Sequence, residues 1–208
     1  MGGSLAKEMR SPTPGSMMGW CAQKIMSSGA GVDSVDAVSC LKVATPNPVI
    51  VEIGPGAGYA MRSMISTFSP SRMYGIEISQ AFRDTLTSDP EFSKLIESGV
   101  LSLHGDDAKS LTFIPDKSVD LIFAHNVIYF LDPLELYLKE AHRILKPGGQ
   151  VFWGVKDMAK QMDSSVYINT DWKKCLEGMK DVGFTNVEQQ KQRLEGGQAY
   201  IPLFGFKK

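Results

Sequence analysis

A chain of 208 residues with 43% hydrophobic side chains, 22 basic and 23 acidic residues and a net charge of -1 reads as a water-soluble protein with length for one α/β core and a short extension. The balanced charge argues against a nucleic-acid partner held by phosphate contacts, and no apolar run reaches the length of a membrane span. Three widely separated cysteines, Cys21, Cys40 and Cys175, have no paired spacing, so no metal site and no disulfide framework is expected.

Residues 1–16 are rich in Gly, Ser and Pro and read as a flexible tail without the apolar core of a secretion leader, so a cytoplasmic location is expected. Short cap helices are expected over 17–26 and 35–43, the second broken by "ATPNP". From Pro48 onward, strands and helices alternate. "VIVEI" (49–53), "RMYGIEI" (72–78), "VLSLH" (100–104), "VDLIFA" (119–124) and "QVFWGV" (150–155) read as five strands. Helices are expected over 57–67, after Ser79 as cap, and from Pro90 to Ser98 behind Asp89.

"DPLELYLKEAHRIL" offers Asp132 as cap, Pro133 at the first helical position and Glu135 to close a capping box, with Pro147-Gly148-Gly149 as the stop. A helix over 171–182 ends at Gly183. The segments 187–194 and 199–206 then form a hairpin about "EGGQ". Such alternation predicts a Rossmann-like, doubly wound α/β fold. The site should lie at the carboxyl ends of the strands, where strand order reverses.

Chemistry therefore belongs to the loops after those strands. In "VIVEIGPGAGYA", Gly54, Gly56 and Gly58 permit positive φ and close approach of a ligand to backbone, beside the free N–H groups of a helix start. Phosphate, dinucleotide and nucleoside ligands all use such turns. Glu77, about twenty residues further on, sits where an acid accepts the hydroxyls of a ribose. Asp106 or Asp107, after the third strand, can accept the exocyclic amine of adenine. His125 and Asn126 close the fourth strand, and the imidazole of His125 is a candidate base.

Together these residues resemble a class I S-adenosylmethionine-dependent methyltransferase of the broad small-molecule (methyltransferase type 11-like) kind, from about Gly19 to the end. The resemblance rests on "EIGPGAG", "DAKSLTF", "VDLIFAHNVIYFL" and "LKPGG" in that order and spacing. It implies one domain over 17–208, with 17–47 as cap helices. It also implies a mostly parallel seven-stranded sheet whose last strand is antiparallel.

By that resemblance S-adenosyl-L-methionine would be held by Glu52, Ile53, Gly54, Pro55, Gly56, Ala57, Gly58, Glu77, Ile78, Asp107, Ala108, His125 and Asn126. Asp106 stands where the family usually has glycine, which leaves the choice between Asp106 and Asp107 open. Glu52 would repel a phosphate but suits a cofactor whose near end carries an ammonium and a sulfonium. No fixed catalytic group is implied; His125 and Tyr129 are the candidates.

The methyl acceptor would be an apolar or amphipathic small molecule facing 17–21, 125–130 and 153–162. The rival readings are an NAD(P)-dependent oxidoreductase and a non-catalytic protein that binds S-adenosylmethionine and regulates a partner. The spacing G-x-G-x-G, not G-x-G-x-x-G, disfavours the oxidoreductase.

Overall fold

The computed structural model describes residues 31–156, 167–195 and 198–208. The expected tail over 1–16 and the cap helix over 17–26 lie outside them. Apolar runs bounded by turns form the parallel strands β1 (Val49–Ile53), β2 (Arg72–Ile76), β3 (Leu101–His104), β4 (Val119–His125) and β5 (Leu145–Lys156). Every residue of β4 is buried, as befits a strand covered on both faces. Short antiparallel strands β6 (Phe184–Gln189) and β7 (Arg193–Glu195) and the long β8 (Gln198–Lys207) complete the sheet.

The strand order is β3-β2-β1-β4-β5-β8-β6, with β7 also on β8. The expected seven positions are therefore present. An eighth short strand arises because the outer edge of β8 is shared by β6 and, further along, β7. β8 inserts antiparallel between β5 and β6, as the resemblance implied. Strand order reverses between β1 and β4, so the carboxyl ends of these neighbours flank the crevice expected to take a ligand.

Helices α1 (Gly31–Ser39), α2 (Tyr59–Phe68), α3 (Gln80–Ser88) and α4 (Pro90–Glu97) supply the apolar cluster on one face, which includes Ala37, Met61, Leu86 and Phe92. Helices α5 (Leu134–Ile144) and α6 (Trp172–Asp181) serve the other face through Leu138, Ile144 and Met179. The predicted caps of α3 and α4 hold: Ser79 Oγ accepts from Phe82 N–H, and Asp89 accepts from Glu91 and Phe92 N–H.

Three expectations are corrected. Pro133 has ψ of 137°, outside the helical region, so α5 begins at Leu134 without a side-chain cap, and Glu135 pairs with Lys139 instead. The helix expected over 35–43 is α1, ending at Ser39, because Lys42 N–H turns to Gln150 Oε1 on β5. β2 stops at Ile76, because Glu77 turns to serve the glycine loop.

Candidate cofactor site

The loop after β1 places Gly54, Gly56 and Gly58 at φ of 69°, 52° and 82°. Gly54 N–H donates to Ile76 O at 2.8 Å, which ties the loop to the end of β2. A Cβ at Gly58 would strike Leu86 and Phe92, so that glycine allows α2 to lie close against α3 and α4. Above Gly56 a Cβ would meet nothing within 4 Å, so the loop is open there. Ile53, Pro55 and Ala57 line the same turn, with Ile53 and Pro55 buried.

Glu77 sits beside this loop. Its Oε2 accepts Gly56 N–H at 3.0 Å and its Oε1 accepts Ser79 N–H at 2.9 Å. Both oxygens are thus oriented before any ligand arrives, with lone pairs left for hydroxyl donors. Burial raises the pKa of Glu77, against the lowering effect of the Ser79 and Gly56 donors and of Arg83. Ile78, next along, is 44% exposed and presents an apolar surface at the strand ends.

Glu52 is held inside the sheet, in register with Gly75 of β2 and Phe123 of β4. It is 3% exposed, and its Oε2 has no hydrogen-bond partner. Burial, then the charge of Glu77, push its pKa up to about 8. A buried carboxyl oxygen without a donor, next to a glycine cradle, suits a ligand that brings a donor, and above all a cationic one.

After β3, Asp106 is exposed while Asp107 is half-buried and Ala108 is buried. Asp107 accepts Lys109 N–H at 3.3 Å and pairs with Lys109 Nζ at 2.9 Å. Burial raises its pKa, but the bonds to Lys109 and Tyr137 outweigh it and the net shift is downward. His104, which sequence reasoning passed over, stacks on Phe113 with centroids 4.0 Å apart. An aromatic pair beside the two acids was legible as "LH" and "LTF", but only the fold shows that they meet.

His125, at the end of β4, is 8% exposed. Its Nε2 donates to Asp33 Oδ2 of α1 at 3.1 Å. Its Nδ1 is buried, without a partner, against Gly154, where a Cβ would collide with it. Asn126 Nδ2 donates to the same Asp33 oxygen at 3.3 Å, and Tyr129 Oη donates to Asn126 Oδ1 at 2.9 Å. Lys156 N–H in turn donates to Tyr129 Oη at 2.8 Å. Burial drives the Tyr129 phenol above its ordinary pKa, so it stays neutral.

Asp33 is the residue that sequence reasoning missed. Its clue was an acid one helical turn before Ala37 on the buried face, a position that demands a partner. Of the segments expected to face an acceptor, 17–21 and 157–162 lie outside the described residues, while Tyr129 and Trp153 are core residues at 2% and 0% exposure.

A family model for the methyltransferase domain matches residues 51–153, from the strand that bears Glu52 to the one that bears Gly154. Malonyl-[acyl-carrier protein] O-methyltransferase 1 of Coxiella burnetii is 27% identical over 122 residues, which cover 57% of this chain and 38% of that protein. The chain spans well under half the length of the curated relatives it matches.

The fold is shared with a SAM-dependent methyltransferase from Aquifex aeolicus, at a TM-score of 0.64, 14% identity and coverage of 99% and 98% of the two chains. It is shared also with phosphoethanolamine N-methyltransferase 2 of Haemonchus contortus, solved with S-adenosyl-L-methionine. There the TM-score is 0.67 at 13% identity, over 84% of this chain and 52% of that one. With the glycine cradle, the Glu77 clasp and this match together, the chain carries a methyltransferase domain of the class I S-adenosylmethionine-dependent kind.

Proposed function

We propose that the protein transfers a methyl group from S-adenosylmethionine to a small apolar or amphipathic acceptor, with residues 17–208 acting as one domain. The observation that carries this reading is Glu77, whose two oxygens are clasped by Gly56 and Ser79 N–H at the carboxyl end of β2, near Glu52 with its unpartnered Oε2. S-adenosylmethionine, when bound, supplies a methyl already activated on a sulfonium. Gly54, Gly56 and Gly58 let it lie against backbone, Glu77 takes the ribose hydroxyls, and Glu52 faces the cationic end. Asp107 is the better placed of the two loop acids for the adenine amine, since Asp106 is exposed. The free thiols Cys40 and Cys175 suit a cytoplasmic enzyme.

His125 and Tyr129 serve this reaction as positioning groups, not as bases. Tyr129 stays a neutral phenol that bridges Lys156 N–H and Asn126, and one nitrogen of His125 is committed to Asp33. What these residues do is hold the end of β4 still, so that acceptor and cofactor can be aligned and water kept out. Any proton lost by the acceptor then goes to solvent or to a group of the acceptor itself.

The test is calorimetric titration with S-adenosylhomocysteine and with NAD, followed by turnover on a panel of small acceptors. Glu77→Ala should weaken S-adenosylhomocysteine by about 2–4 kcal/mol, through loss of charge-assisted bonds to the ribose. An unchanged dissociation constant removes Glu77 from the ribose, and NAD binding in place of S-adenosylhomocysteine defeats the methyltransferase reading. Tight binding with no turnover on any acceptor favours a regulatory protein.

A further inference from the structure

Glu52 lies where a charge is costly. It is buried between β2 and β4, its Oε2 receives no donor, and the residue beside it on β2 is Gly75, which offers no side chain. The charged groups on the surrounding elements are spoken for. Glu77, after β2, is a second acid whose field reaches Glu52. Arg83 of α3 donates to the Glu77 carbonyl, and Arg62 of α2 pairs with Asp89 and Glu91. On α1, Asp33 is bound to His125 of β4, and Asp36 to Arg193 of β7. None of these described cations is available to neutralise an ionised Glu52.

We propose that Glu52 is a charge-selecting residue, a neutral carboxyl in the free protein that gives its proton to solvent as the cationic end of the cofactor enters, so that cofactor binding releases a proton. The inference rests on the methyltransferase reading. In the free protein an ionised Glu52 would lack a counter-ion among the described residues and would repel Glu77; against the ammonium or sulfonium it gains one. The exchange is balanced: the carboxyl O–H breaks, the proton passes to buffer, and the carboxylate pairs with the incoming cation. A ligand of the same shape without a cation would leave the carboxyl protonated, so the site discriminates by charge and not by volume alone. The raised pKa of Glu52 agrees with this arrangement.

Calorimetry on the full chain reads the released proton directly. S-adenosylmethionine and S-adenosylhomocysteine are titrated at pH 7 in phosphate and in Tris, whose ionisation heats differ. The expected result is a buffer-dependent heat corresponding to about 0.9 proton released per ligand, with the dissociation constant falling about tenfold from pH 6 to pH 7. Release with both ligands assigns the pairing to the ammonium, and release with S-adenosylmethionine alone assigns it to the sulfonium.

Glu52→Gln should bind with the same heat in both buffers and with a flat pH profile. If that variant does not fold by circular dichroism, the wild-type buffer pair and pH series decide the matter. Binding by the wild type with equal heats in both buffers overturns the proposal, as does undiminished release by Glu52→Gln. No heat with either ligand, from a protein that melts cooperatively, overturns the methyltransferase reading itself.

Discussion

Asp33 and Glu52 are both sealed from solvent, at 0% and 3% exposure, and both belong to the side of the sheet covered by α1 and α2. Asp33 accepts from His125 Nε2 and Asn126 Nδ2. Burial pulls its pKa up, but His125, Lys156 and Asn126 together outweigh it, and the net shift is downward. Among the described residues Glu52 has a second acid, Glu77, for its charged neighbour, and burial, then that charge, take its pKa up to about 8. Equal burial therefore produces opposite charge states, and the partners supplied by the fold make the difference. Asp33 is an internal strut that pins α1 to the end of β4. Glu52 has no such strut among the described residues, and its Oε2 has no hydrogen-bond partner.

Breaking Asp33 should give the largest effect. Asp33→Ala leaves His125 and Asn126 with unmatched buried donors, and denaturant unfolding should record a loss of about 3–5 kcal/mol. Because its folded pKa lies below the ordinary 3.8, Asp33 contributes at pH above that value and loses its contribution as pH falls through the folded pKa.

Glu52 should behave in the opposite sense. Its folded pKa lies above the ordinary 4.5, so the native state holds a proton that the unfolded chain has released, and stability drains away from pH 4.5 up to about 8. Glu52→Gln should thus stabilise the cofactor-free protein by about 3 kcal/mol at pH 7 and by almost nothing at pH 4, read from paired thermal melts. An equal gain at both pH values would show that Glu52 is ionised in the native state.

The smallest effect should come from a third acid, Asp36, the second on α1. Asp36 is bound by Arg193 at 2.5 and 2.6 Å and by Tyr200 Oη at 2.6 Å, but the Arg193 side chain is 40% exposed. Arg193→Ala should cost about 1 kcal/mol or less, and less still in high salt, since solvent already screens the pair. A loss as large as that for Asp33→Ala would mean that charge pairing, and not burial of the unmatched partner, governs the docking of α1.

Much of the site was legible because its chemistry is local. The glycines at 54, 56 and 58 follow an apolar strand, and only residues that tolerate positive φ suit that turn. Glu77 stands one strand-turn-helix unit beyond them, and Ser79 and Asp89 cap their helices as their side chains dictate. Illegible were the contacts that depend on chain separated by many positions. Asp33 and His125 are 92 residues apart, and neither carries a local mark of the other. The start of α5 at Leu134 also escaped, since Asp-Pro before an amphipathic run reads as a cap from composition while the backbone at Pro133 is extended.

The sequence by itself determined the alternation of elements, the parallel sheet, the glycine cradle and the identity of the acids around it, because hydrophobic period, turn chemistry and capping act over a few residues. The tertiary structure alone decided which of those acids keeps its charge. That depends on the distance to donors and cations brought in from α1, β2, β4 and β5, and on how completely water is excluded between them.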